Sequence, residues 1–417
     1  MLRFKDNQGN KFPIWEKEKF IDVCDTITDF VAAGSFASLR KNVKYETEPN
    51  YAQLIRTTDL KNGITNDNAI YVNKEAFDFL RKVNLDKESI ILPNVGNCGE
   101  VYYISPQKLP LSHNVLGPNA ILCRSSTASN YFLGQLFFHK SFQNKIKIIT
   151  ASTGQPKFNK TELKQIVLNI PCLQEQEKIA DFLSSYDDMI DITSKRLQAL
   201  QKRKLGLLQG IFSQTLRFRD SDGQEFPPWR PSQLGKETII ERGGSPRPIS
   251  KYLTDSPDGI NWIKIGDAPV DGNVISSVKE KITPIGASKS RMVKKGDLIL
   301  SNSMSYGRPY LLAVDGCIHD GWLVIRNHIN AFDINFLLQL LSSSYVKSQY
   351  EKLSNQGVVS NLNKELVKSV RIMIPCMEEQ RRIAEFLGWV DQGIELESQR
   401  LETMKTIKKG LLQQMFI

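Results

Sequence analysis

The sequence predicts an α+β chain. It reads as two mixed α/β domains separated by a long antiparallel two-helix coiled coil, pseudo-two-fold, with a circularly permuted repeat. Three observations predict this. Residues 171–212 return without a gap as residues 375–416. A second short element, residues 2–15, returns at a different offset as residues 216–229. The segments between these repeats carry short strand-like and helix-like runs in a shared frame.

The first repeat is helical by pattern. Pro171 and Pro375 open the two copies, and neither copy contains another proline. Glu175, Glu177, Glu378 and Glu379 lie near the start. Lys202, Arg203, Lys204, Lys408 and Lys409 lie near the end. That polarity suits a helix dipole. Apolar residues fall at Ile179, Leu183, Tyr186, Ile190, Leu197, Leu200 and Leu207, and again at Ile383, Leu387, Val390, Ile394, Leu401, Met404 and Leu411. The spacing alternates four and three, a heptad seam. Thr193 with Glu397, and Lys204 with Lys408, place polar groups on that seam, where they can fix register. A helix of about 40 residues is ~60 Å long and cannot bury one apolar stripe alone. Its duplicate is the nearest partner, and the order of the chain makes the pair antiparallel.

The second repeat explains the permutation. Leu2, Arg3, Phe4, Asp6, Gly9, Phe12, Pro13 and Trp15 recur as Leu216, Arg217, Phe218, Asp220, Gly223, Phe226, Pro227 and Trp229. The later copy follows the first helical block; the other stands at residues 2–15. Residues 2–15 are therefore expected to pack beside residues 400–417.

The intervening segments share a frame. Leu54–Asp59 aligns with Trp262–Asp267, and Ile91–Gly99 with Ile299–Gly307. Helices are expected at Glu75–Val83, Asn335–Leu341 and Val346–Leu353. Strands are expected at Ser89–Leu92, Val101–Ile104, Asp297–Leu300 and Leu311–Val314. Gly243-Gly244-Ser245-Pro246-Arg247-Pro248 reads as a loop between elements. The expected boundaries are 1–19, a segment completing the distal repeat; 20–170, the first domain; 171–215, the central helix; 216–233, a connection; 234–374, the second domain; and 375–417, the distal helix.

Composition narrows the function. The chain has 417 residues and a net charge of +10, which favours polyanion partners. No run has the ~18–20 apolar residues of a spanning helix, so a cytoplasmic protein is expected. Cys24, Cys98, Cys123, Cys172, Cys317 and Cys376 form no CxxC pair, which argues against a zinc knuckle. Cys172 and Cys376 read as small buried apolar side chains. The scattered His113, His139, His319 and His328 read as ordinary polar residues.

The repeated Ile170-Pro171 through Glu175-Gln176 to Ile179-Ala180, with Gly243-Gly244-Ser245-Pro246 and Gly259-Ile260-Asn261-Trp262-Ile263, resembles the specificity subunit of a type I restriction–modification system. The resemblance spans nearly the whole chain. The first variable segment departs from it, with Gly34-Ser35-Phe36 and no proline. The resemblance implies two target-recognition domains, each reading one half of a bipartite, asymmetric double-stranded DNA site. The helices set the spacer and dock two methyltransferase subunits. Those subunits use S-adenosylmethionine, and motor–nuclease subunits use ATP and Mg. No cofactor or metal is expected in this chain, and no membrane partner.

The candidate DNA-reading residues are chosen by type and position. In the first domain they are Arg40, Lys41, Asn94, Asn97, Arg124, Ser125, Ser126, Ser152 and Gln155. In the second they are Ser245, Arg247, Asn302, Ser303, Ser305, Tyr306, Arg308, Asn355 and Asn361. Arg can bridge guanine and Asn can bridge adenine. No catalytic residue is expected. Pro227-Pro228 lacks the Asn/Asp lead of an adenine methyltransferase loop, and Gly286-Ala287-Ser288-Lys289-Ser290 lacks the P-loop spacing. A PD…ExK nuclease site is likewise not expected. The alternatives are a protein-interaction adaptor built on the coiled coil, and a tandem-domain enzyme with an unrecognised site.

Overall fold

The computed structural model describes residues 2–150, 154–270, 272–302, 307–327, 330–354 and 362–416. The chain divides into two compact units. One is Met1–Ile192 with Glu402–Ile417; the other is Thr193–Leu401.

In the first unit, β2 (Thr26–Asp29), β5 (Ser89–Pro93), β6 (Tyr102–Ile104) and β8 (Ala120–Arg124) form a sheet of order β2-β8-β5-β6. A second sheet joins β3 (Ala52–Ile55), β4 (Ile70–Val72) and β7 (Asn114–Leu116) in the order β4-β3-β7. β1 (Glu16–Lys19) pairs antiparallel with β9 (Val167–Ile170). All five residues of β5 are buried. That explains its unbroken apolar run, where a strand with one wet face would alternate.

The second unit repeats the plan. β11 (Ile239–Arg242), β13 (Val274–Ile275), β16 (Leu298–Ser301), β17 (Pro309–Leu312) and β19 (Trp322–Arg326) order as β11-β19-β16-β17-β13. β12 (Ile260–Ile263), β14 (Lys281–Ile282), β15 (Arg291–Val293) and β18 (Gly316–Ile318) order as β14-β12-β18-β15. β10 (Arg230–Gln233) pairs with β20 (Arg371–Ile374). β17 begins two residues before the expected strand. Its Pro309 is tolerated because it opens the strand.

Two paired helices follow the last long strand of each unit: Asn130–Phe138 with Lys140–Ile149, and Ile334–Ser342 with Ser344–Ser354. The first pair was not expected from the sequence. NYFLGQLFF is buried at six positions in succession, Phe132 to Phe137, so it shows no helical stripe.

The central helix is Leu173–Phe212 and the distal helix is Met377–Met415. The division between units falls inside both. No seam residue of either helix is exposed. Ile179, Leu183, Ile383 and Leu387 are almost fully buried, each worth about 1.5–3 kcal/mol of transfer free energy. In the second unit Arg196 faces Glu397 at 3.8 Å, and Lys204 pairs with Asp391. The helices therefore run antiparallel there. In the first unit Lys408 meets Asp187 at 2.5 Å. Met415 and Phe416 join Ile179, Ala180 and Leu183 in one apolar cluster, again antiparallel.

Residues 2–15 pack where expected. The Leu2 amide donates to the Gln414 carbonyl at 2.8 Å, and Trp15 meets Phe416 edge-on at 6.1 Å. The strap is held by a buried carboxylate. Arg3 Nε donates to Glu175 Oε1 at 3.0 Å, and Trp15 Nε1 to Glu175 Oε2 at 3.1 Å. The second unit copies this: Arg217 Nε donates to Glu379 Oε1 at 2.8 Å, and Trp229 Nε1 to Glu379 Oε2 at 2.9 Å. Both glutamate side chains are fully buried. Cys172 and Cys376 are half-buried, not buried as expected, while Cys24, Cys123 and Cys317 are buried.

Candidate nucleic-acid interface

Strand direction sorts the candidate residues. In the first unit Pro93 pairs with Ala120, and Asp29 with Ile121. The ends of β2 and β5 and the start of β8 therefore form one edge. In the second unit Arg242 pairs with Leu323, and Ser301 with Trp322. The ends of β11 and β16 and the start of β19 form the matching edge. Loops at such an edge diverge freely, because the sheet beneath them carries the fold.

On the first edge, Asn94, Asn97 and Gln155 come together. The Gly96 amide donates to Pro156 O at 2.8 Å, and the Phe158 amide to Asn94 O at 3.1 Å. A Cβ on Gly96 would lie 3.5 Å from Gln155 Nε2. Asn97 and Gln155 are exposed; Asn94 is half-buried and gives its Nδ2 to Phe158 O at 3.2 Å. Arg40 and Lys41 are exposed on the helix Phe36–Asn42, not on a loop. That helix lies in the chain leaving β2 from the same edge, and it also exposes Phe36.

Arg124, Ser125 and Ser126 do not join them. They follow β8 at the opposite end of the sheet, where Thr26 pairs with Arg124. Arg124 Nε donates to Ser89 Oγ at 2.8 Å, and burial lowers its pKa, with Asp86 opposing. Ser125 is buried and its Oγ accepts from the Ala128 amide at 2.9 Å. The Ser126 amide donates to Asp25 at 2.6 Å, and its hydroxyl donates to the same carboxylate. The hydrogen bonds of these three are made within the protein, at the end of the sheet away from Asn94, Asn97 and Gln155.

On the second edge, Ser245, Arg247 and Asn302 converge on Asp320. Ser245 Oγ donates to Asp320 Oδ1 at 2.8 Å, and Arg247 lies 3.8 Å from Asp320 Oδ2. Arg247 is 84% exposed. Asn302 is buried. Its Nδ2 donates to Asp320 O at 2.9 Å and its carbonyl accepts from the Leu362 amide at 3.0 Å. Asn302 thus matches Asn94, since each gives its amide nitrogen to a backbone carbonyl. Arg308 gives its two terminal nitrogens to Val270 O and Gly272 O, each at 2.8 Å. It braces a loop from that edge. Ser152, Ser303, Ser305, Tyr306, Asn355 and Asn361 lie outside the described residues, as does His328.

The sequence missed Asp320 and Arg242 as members of this edge. Arg242 Nε donates to Asp320 O at 3.0 Å, and His319 Nε2 lies 3.0 Å from Asp320 Oδ1. Partial burial raises the Asp320 carboxyl. The Ser245 hydroxyl and the charges of His319, Arg242 and Arg247 outweigh this and leave it below its ordinary value. The signal available was the His319-Asp320 dipeptide.

Among the described residues no group of three or more His, Cys, Asp or Glu is placed to hold a metal, and no helix is long and apolar enough to cross a membrane. One Glu-x-Lys spacing does occur, at Glu162-Leu163-Lys164. Glu162 closes a capping box with Asn159, accepting from its amide at 3.2 Å.

Comparison with known proteins agrees with the duplicated plan. The family model for the type I restriction modification DNA specificity domain matches twice, over residues 15–202 and 237–406. The type I restriction enzyme MjaVIII specificity subunit of Methanocaldococcus jannaschii is 25% identical over 98% of this chain and 94% of its own. The solved type I restriction–modification S subunit of M. genitalium aligns with a TM-score of 0.60 at 15% identity, over 100% of this chain and 98% of that one. A chain solved in a study of complex assembly and conformational transition of the type I R-M system aligns at 0.55 and 17%, over 96% and 97%. Two matching domains, together covering most of the sequence, show that the chain belongs to the type I restriction–modification DNA specificity family.

Proposed function

We propose that each unit reads one half of a bipartite, asymmetric site on double-stranded DNA. The central and distal helices set the spacer and dock two methyltransferase subunits. In this reading the chain is not an enzyme. Adenine methylation with S-adenosylmethionine, and ATP- and Mg-dependent cleavage by motor–nuclease subunits, belong to partners.

One observation carries the reading. The order β2-β8-β5-β6 matches β11-β19-β16-β17, and β4-β3-β7 matches β14-β12-β18, with β13 and β15 added in the second unit, yet the side chains on their matching edges differ. A shared frame with unlike edges suits two unlike half-sites. Asn97, Gln155, Arg40 and Lys41 serve the first half; Ser245, Arg247 and Asp320 serve the second. Arginine and lysine contacts to phosphate dominate affinity, and polar groups at base edges choose sequence.

The test is methyl-adenine mapping in cells carrying the partner subunits, with and without this chain. A split motif that depends on the chain is expected. A chain that retards no duplex even with partners present supports the adaptor reading. A chain that methylates DNA alone with S-adenosylmethionine supports an enzyme.

A further inference from the structure

Two carboxylates hold the same unusual position. Asp187, on the central helix, accepts from Tyr131 Oη at 2.5 Å and from Lys408 Nζ at 2.5 Å. Tyr131 belongs to the helix Asn130–Phe138 of the recognition domain, and Lys408 to the distal helix. Asp391, on the distal helix, accepts from Gln339 Nε2 at 2.7 Å and from Lys204 Nζ. Gln339 belongs to the helix Ile334–Ser342, and Lys204 to the central helix. Each carboxylate therefore ties three bodies: its own long helix, the other long helix, and the domain that reads DNA.

Asp187 recurs as Asp391, and Lys204 as Lys408. Gln339 recurs as Gln135, but the donor in use differs: Tyr131 serves one joint and Gln339 the other. So the tie is kept although its third partner has changed. Both lysines are only 16% exposed, so screening by solvent is incomplete. Burial, then the Asp187 contact, raises the Tyr131 hydroxyl and keeps it a donor.

We propose that Asp187 and Asp391 are positioning residues that fix each recognition domain against the helix pair and so hold the half-site spacing to one value. This rests on the spacer role proposed above. Neither side chain needs to touch DNA. Loss of a joint would free the angle of one domain, leaving its reading edge intact.

The experiment maps methyl-adenine with the full complex and compares sites whose two halves are native but whose spacer is one base pair longer or shorter. The wild type is expected to discriminate against these. Asp187→Ala and Asp391→Ala are expected to keep both half-site sequences and lose about tenfold of that discrimination, the scale of one coupled contact. Tyr131→Phe removes only a hydroxyl and is expected to act in the same direction more weakly. The exchange D187K with K408D restores the ion pair between the helices but removes the acceptor for Tyr131, so it is expected to leave the spacing relaxed. Unchanged spacing in folded, assembled Asp187→Ala, Asp391→Ala and Tyr131→Phe complexes overturns the proposal while the spacer role stands. A wild-type complex that modifies no split site overturns both.

Discussion

The two buried clasps and the two reading edges behave oppositely. Glu175 with Arg3 and Trp15, and Glu379 with Arg217 and Trp229, use the same donors on the same oxygens. The edges after β5 and β16 share their backbone bonds but not their side chains: Gln155 and Asn97 on one, Ser245, Arg247 and Asp320 on the other. The difference is one of solvent. A buried carboxylate without its partners is uncompensated charge, so the clasp tolerates little change. An exposed loop side chain loses only hydration when replaced.

The largest test of this contrast is at the clasp. Glu175→Ala and Glu379→Ala should each cost about 3–5 kcal/mol, read by denaturant unfolding. Unequal losses would break the equivalence of the clasps. Next come the seam residues. Leu183→Ala and Leu387→Ala should each cost about 2–5 kcal/mol, again as a matched pair in thermal melts.

At the edges, Arg247→Ala should cost about 1–3 kcal/mol in discrimination at one half-site, with the other half untouched in competition retardation assays. Arg124→Ala should instead lower stability and leave base preference alone, because it lies at the other end of its sheet. If Arg124→Ala changed base preference, the assignment of the edge would be wrong.

The smallest effect is a pH difference between units. His139 joins the helices Asn130–Phe138 and Lys140–Ile149, and Ser343 stands in the same place in the second unit. Burial, with Lys140 adding, holds the His139 imidazole below its ordinary value of 6.5. A lowered histidine favours the neutral form in the fold. Its contribution is complete above the unfolded value and fades as pH falls through it. The first unit should therefore lose stability below about pH 6.5, and His139→Ser should flatten that slope in melts taken from pH 7.5 to 5.

Much of this was legible in the sequence. The heptad seam, the antiparallel pairing and the return of residues 2–15 to the distal helix all follow from repeat spacing and apolar period. The clasp is legible too, since Arg3, Trp15 and Glu175 all recur, but by position alone the glutamates read only as dipole charges. The edges were less legible. Residue type cannot show whether an amide is spent on backbone, as in Asn94 and Asn302, or free, as in Asn97. Nor can it show which end of a strand Arg124 occupies, because that depends on pairing between distant segments.

One glycine constrains how the second edge can evolve. A Cβ on Gly243 would lie 2.1 Å from the His319 carbonyl oxygen and 2.7 Å from that of Ile318. Only hydrogen fits. The route of the chain out of β11 is thereby frozen, and variation is pushed onto the positions that follow. New target preferences can arise there by exchanging teeth on a fixed jaw, with no need to redraw the backbone that carries them.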